Sequence, residues 1–117
     1  LMVEDDADTR LLVKTILQKA GAQVFAADSA RSALDALAEF RPQLLLCDIA
    51  MPEEDGYSLL RKIRTLPDAA LAQIPAIAMT AFAGQNNREE ALSAGFQHHF
   101  SKPVDPPELI KLIVTLV

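Results

Sequence analysis

Short apolar runs alternate along this chain with longer stretches whose apolar positions recur at helical spacing. The runs fall at positions 1–3, 23–27, 44–47, 76–79 and 98–100 and have the length of strands. Between the first two, Leu12, Val13, Ile16, Leu17 and Ala20 repeat with a helical period, and Gly21 follows as a stop. Ala30, Ala33, Leu34, Leu37 and Ala38 form the i, i+3, i+4, i+7, i+8 stripe of a second helix. Tyr57, Leu60 and Ile63 predict a third helix, ended by Pro67. Positions 86–94 predict a fourth, with Gly95 as its cap. The last helix has Asp105 as N-cap, Pro106 at N1 and Glu108 at N3, and buries Leu109, Leu112, Ile113 and Leu116.

The order is thus strand then helix, five times over. That alternation predicts an α/β domain, a parallel sheet with helices on both faces. In such sheets the reactive crevice lies at the carboxyl ends of the strands, where strand order reverses. The residues leaving those ends are Glu4-Asp5-Asp6, Asp48, Thr80 and Lys102. Two carboxylates about 5.5 Å apart repel by roughly 3 kcal/mol at an effective dielectric near 20. A cluster of them needs positive charge among it. Lys102 supplies one charge, and a hard cation such as Mg²⁺ suits carboxylates, a carbonyl, waters and a phosphate oxygen. An aspartate in that setting can attack phosphorus to give an aspartyl phosphate. Taken singly, each residue has a plainer role open to it. Asp48 fits a helix cap or turn, Thr80 a structural turn, and Lys102 a solvated surface. Asp6 or Asp8 is expected to cap the first helix.

Bulk properties narrow the field. The 117 residues suit one domain with a core that needs no staples. Net charge is −5, from 16 acidic against 11 basic residues, so direct nucleic-acid binding by this domain is not expected. The single cysteine, Cys47, lies in an apolar run and reads as a buried, reduced thiol, which fits a reducing compartment. No apolar run has the length of a membrane span. The chain starts and stops inside apolar stretches, which leads us to expect one module of a longer protein.

The motifs resemble the receiver domains of two-component response regulators over nearly the whole chain. They are Val3-Glu4-Asp5-Asp6 with Arg10, then Asp48-Ile49-Ala50-Met51-Pro52-Glu53-Glu54-Asp55-Gly56, Met79-Thr80-Ala81 and Lys102-Pro103. The resemblance implies a flavodoxin-like, doubly wound five-stranded parallel sheet in the order 2-1-3-4-5. It implies Asp48 as phosphoacceptor and Mg²⁺ as cofactor. Asp5 would bind the metal directly, Glu4 mainly through water, and Asp48 and the Ala50 carbonyl would complete the protein ligands. Thr80 would bind the phosphoryl group and report it. Lys102 would pair first with Asp48, then with the phosphoryl group, aimed by a cis peptide to Pro103. The expected phosphodonor is a histidine kinase or a histidine phosphotransfer domain. The segment 94–105 is similar to receivers joined to histidine kinases, so a kinase core in the same chain is the leading context. A cytoplasmic location follows, either free or as the cytoplasmic part of a membrane-bound hybrid kinase. Gly56 suits the turn entering the third helix.

One departure stands out. The family usually carries Tyr or Phe three residues before the lysine as a switch, and here that residue is His99. His98 and His99 do not make a metal pair, because adjacent strand residues face opposite ways. A pseudo-receiver without phosphorylation is disfavoured by the complete Asp48, Thr80 and Lys102 set. A true phosphohydrolase is disfavoured by Ala50, which cannot transfer a proton where such enzymes carry a carboxylate. Self-directed chemistry without turnover of a substrate is therefore the expectation. Ala50 and Phe82 cannot orient water either, which predicts slow loss of the phosphoryl group.

Overall fold

The computed structural model describes residues 1–80, 85–102 and 104–116, the side chains of 85–88 excepted. Five parallel strands are present: β1 (Met2–Val3), β2 (Ala26–Ala27), β3 (Leu45–Asp48), β4 (Ala76–Thr80) and β5 (His98–Ser101). They form one sheet in the order β2-β1-β3-β4-β5, as the resemblance implied. The helices are α1 (Ala7–Lys19), α2 (Ala30–Phe40), α3 (Gly56–Arg64), α4 (Ala69–Ala72), α5 (Gln85–Ala94) and α6 (Pro106–Leu116).

The alternation of side chains along the strands divides the core in two. Leu45, Cys47, Ala76 and Ala78 pack with residues of α2, α3, α4 and α5, including Ala33, Leu37, Leu60, Ile63, Leu71 and Ala91. Leu46, Ile77 and Met79 face the other way, against Val13 and Leu17 of α1 and Leu109 of α6. Both sheet faces are therefore covered, which is why the central strands read as unbroken apolar runs.

Helix boundaries follow local chemistry. Asp6 caps α1 by accepting from the Thr9 backbone N–H at 2.9 Å. Ser29, Asp55 and Asp68 cap α2, α3 and α4 in the same way. Gly21 and Gly95 follow α1 and α5 with φ of 97° and 110°, the left-handed conformation expected of helix stops.

Most strand and helix ends lie within a residue of the pattern reading, and the structure departs further from it at three places. Strand β2 is two residues rather than five. The third helix stops at Arg64, with Thr65 as its C-cap, before Pro67 is reached. Beyond Pro67 the chain forms the single turn α4, which is too short to display a period.

Candidate functional site

The chain runs from β1 out to β2 on one side and then returns to β3 on the other, so the order reverses between β1 and β3. The Glu4 N–H donates to the Ala27 carbonyl at 3.0 Å, which places Glu4 at the exit of β1. Asp48 is the last residue of β3 and Thr80 the last of β4. Thr80 stands in register with Ser101, and the next backbone N–H, from Lys102, donates to the Thr80 carbonyl at 2.8 Å. That bond extends the ladder one residue past β5 and brings Lys102 to the same edge.

Three buried polar residues meet there: Glu4, Asp48 and Thr80 are 0%, 4% and 4% exposed. Lys102 reaches in, its Nζ 2.8 Å from Glu4 Oε1 and 3.3 Å from Asp48 Oδ1. Asp5 is exposed, yet one oxygen each from Glu4, Asp5 and Asp48 lie within 4.8 Å of one another. Asp48 is therefore no helix cap, a role that Asp55 takes, and Lys102 is no solvated lysine.

The electrostatics show a shortage of positive charge. Burial, and then the neighbouring Asp48 carboxylate, push Glu4 up to about 7. The same two causes raise Asp5. Burial pulls the Lys102 ammonium down, but its hydrogen bond to Glu4 and the charge of Asp48 outweigh this and raise it. One ammonium thus faces three carboxylates. Glu4 Oε2 is fully enclosed and has no hydrogen-bond partner among the described residues. An orphaned buried carboxylate oxygen beside two more carboxylates fits a hard divalent cation, for which all-oxygen donors are the preferred set.

The supporting residues were only partly foreseen. Arg10 was part of the matching motif, but its work was not visible: its Nη1 donates to the carbonyls of Glu4 at 2.9 Å and Asp5 at 3.4 Å, bracing the acidic turn. Gly56 is required for a different reason from a turn conformation. A β-carbon there would stand 2.6 Å from the Asp48 carbonyl oxygen, so only glycine lets α3 start against the end of β3. The loop between them closes on itself, with the Gly56 N–H donating to the Ile49 carbonyl at 3.0 Å and Glu53 in the left-handed region at φ 67°.

His99 is half-buried and pairs in register with Ala78, whereas Phe100 pairs with Met79 and packs against the α1 and α6 face. The two residues therefore point to opposite faces, as their positions required. Phe82 and the peptide to Pro103 lie outside the described residues.

The response regulator receiver domain model matches residues 1–114. The chain belongs to that family. This receiver is 46% identical over 113 residues to an uncharacterized 14.6 kDa protein of Leptolyngbya boryana, covering 97% of this chain and 85% of that protein. It is 36% identical over 117 residues to the transcriptional regulatory protein GltR of Pseudomonas aeruginosa, covering all of this chain but 48% of GltR. Among solved structures it resembles the receiver domain of the sensor histidine kinase PA1611 from Pseudomonas aeruginosa, which holds a magnesium ion in its active-site cleft. That likeness has a TM-score of 0.88 at 30% identity and covers 98% of this chain and 93% of the other. The receiver is accordingly a signalling module of two-component systems. No described helix is long and apolar enough to cross a membrane.

Proposed function

We propose that this receiver is a phosphorylation-activated switch that takes a phosphoryl group from a phosphohistidine donor onto Asp48. One observation carries the reading: the buried Asp48 carboxylate, 3.3 Å from the Lys102 ammonium and beside Glu4, with Thr80 ending the neighbouring strand. An Asp48 oxygen attacks phosphorus in line, and the phosphorus–nitrogen bond to the donor imidazole breaks, its electron pair returning to the ring nitrogen. Lys102 neutralises one phosphoryl oxygen, and the Thr80 hydroxyl donates to another. Glu4, Asp5, Asp48 and the Ala50 carbonyl would hold Mg²⁺. When bound, that ion offsets the charge of the carboxylates and the incoming phosphoryl group.

The product is the domain's own acyl phosphate, so no external substrate is turned over. Thr80 and His99 carry the consequence outward. Thr80 moves toward the phosphoryl group, and His99, on the adjoining strand, adjusts where the family's aromatic residue would. The donor is a histidine kinase or a histidine phosphotransfer domain, with a kinase core in the same longer chain as one arrangement. Such donors place the domain in the cytoplasm. The net charge of −5 disfavours direct contact with nucleic acid.

The test is transfer itself. A histidine phosphotransfer protein carrying radiolabelled phosphate is mixed with this domain and Mg²⁺. Label should move to the domain in a base-labile, acid-stable form, and Lys102→Met should slow its arrival. Label that stays on histidine across a panel of donors would contradict the reading.

A further inference from the structure

Among the described residues, Phe25 and Phe40 are the phenylalanines that belong to neither hydrophobic cluster. Phe25 precedes β2 and is 42% exposed. Its ring meets that of Phe40, the last residue of α2, with centroids 5.7 Å apart and planes tilted by 52°. With Ala36, Ser32, Asp35 and Glu39 these rings line an open groove of about 520 Å³ beside the edge strand β2.

The charge of this groove has one sign. Asp35 and Glu39 are both exposed and stand one turn apart on α2, a spacing at which like charges repel. Among the described residues, no lysine or arginine lines the groove. An exposed Phe25 ring, only partly covered by the half-buried Phe40, and a repelling acidic rim each cost the free domain something, and one kind of occupant relieves both.

We propose that this groove docks a basic amphipathic segment of a partner protein. A leucine or aromatic anchor of that segment seats against Phe25 and Phe40, and its lysines or arginines face Asp35 and Glu39. The site goes beyond the switch reading because none of its residues belongs to the phosphorylation site. Phe25 lies at the start of β2 and Phe40 at the end of α2, the end of the sheet opposite to Asp48.

The experiment is an amide chemical-shift titration of the ¹⁵N-labelled domain in Mg²⁺. The probes are a synthetic amphipathic Leu/Lys peptide and its Leu/Glu counterpart. The Leu/Lys peptide should perturb Phe25 and positions 32–40 and saturate, and the Leu/Glu peptide should not. Asp35→Lys with Glu39→Lys should weaken binding by roughly tenfold or more. Both positions are exposed on a helix, so the fold is kept, and the remaining amide spectrum checks this. Phe25→Ser should weaken it further. Shifts centred on Glu4, Asp5 and Asp48 or on α1, equal binding of both peptides, or undiminished binding by the charge-reversed variant would overturn the proposal. So would self-association through this face in sedimentation, which would assign the groove to a second copy.

Discussion

A β-carbon on Gly56 would lie 2.6 Å from the Asp48 carbonyl oxygen and 3.1 Å from the Cys47 sulfur, both in the buried end of β3. Backbone cannot yield there as the tip of a flexible side chain can. Gly56→Ala should therefore cost about 1–3 kcal/mol, the usual range for overpacking. It should also displace Asp48, so the midpoint of chemical denaturation and the rate of phosphoryl uptake should fall together. Asp48, Thr80 and Lys102 were legible in the sequence because strand ends in a parallel sheet converge whatever the loops do. Arg10 and Gly56 were visible as members of a motif, but their reasons were not. The Arg10 bonds to the Glu4 and Asp5 carbonyls need the course of the turn, and the Gly56 contact needs the distance between a strand end and a helix start.

At the scale of elements, Arg64 is the side chain that sequence reasoning missed. Its guanidinium donates to the Ala72 and Ile74 carbonyls at 2.9 and 2.6 Å and to the Gly95 carbonyl at 2.7 Å. It thereby ties the end of α3 to the turn before β4 and to the turn before β5. Arg64→Met leaves those carbonyls unanswered and should lower unfolding free energy by about 2–4 kcal/mol. Denaturant titration should show a lower midpoint with an unchanged slope, and phosphoryl uptake should persist because the tie lies at the far end of the sheet from Asp48. Nothing in the local pattern singles Arg64 out from Arg61 or Lys62, since its partners are 8 to 33 residues away in sequence. The same limit hid α4, whose one turn shows no period, and the short reach of β2, an edge strand with a partner on one side only.

For the whole molecule, the balance of charge at the site sets how stability responds to pH and metal. The metal-free native state holds Glu4 at about 7 against an ordinary 4.5, so between those values it keeps a proton that the unfolded chain releases. The Glu4 contribution to stability should therefore fall as pH rises from about 4.5 to 7, while the Leu1 amine, which burial lowers from 8.0 to about 5, contributes in the opposite sense above about 5. Asp6, Asp28 and Asp68 are shifted the opposite way, chiefly by hydrogen bonds from Thr9, Ser32 and Arg41, and their contribution is complete near the lower edge of that window. Thermal melts should isolate the Glu4 share as a difference: between about pH 4.5 and 7 the melting temperature of Glu4→Gln should rise relative to that of the unaltered domain. Mg²⁺ should raise the melting temperature by mass action, most strongly near neutral pH, and Asp5→Asn should remove most of that gain. A melting temperature indifferent to Mg²⁺ would count against the metal site.

The central claim is that Asp48 takes a phosphoryl group, and intact-mass measurement after treatment with phosphoramidate tests it most directly. With Mg²⁺ the domain should gain one phosphoryl group, lose it in mild base, and gain none without the metal. Asp48→Asn should gain none under any condition. Equal labelling of that variant, or an unmodified mass for the unaltered domain with donor and Mg²⁺ both present, would contradict the account.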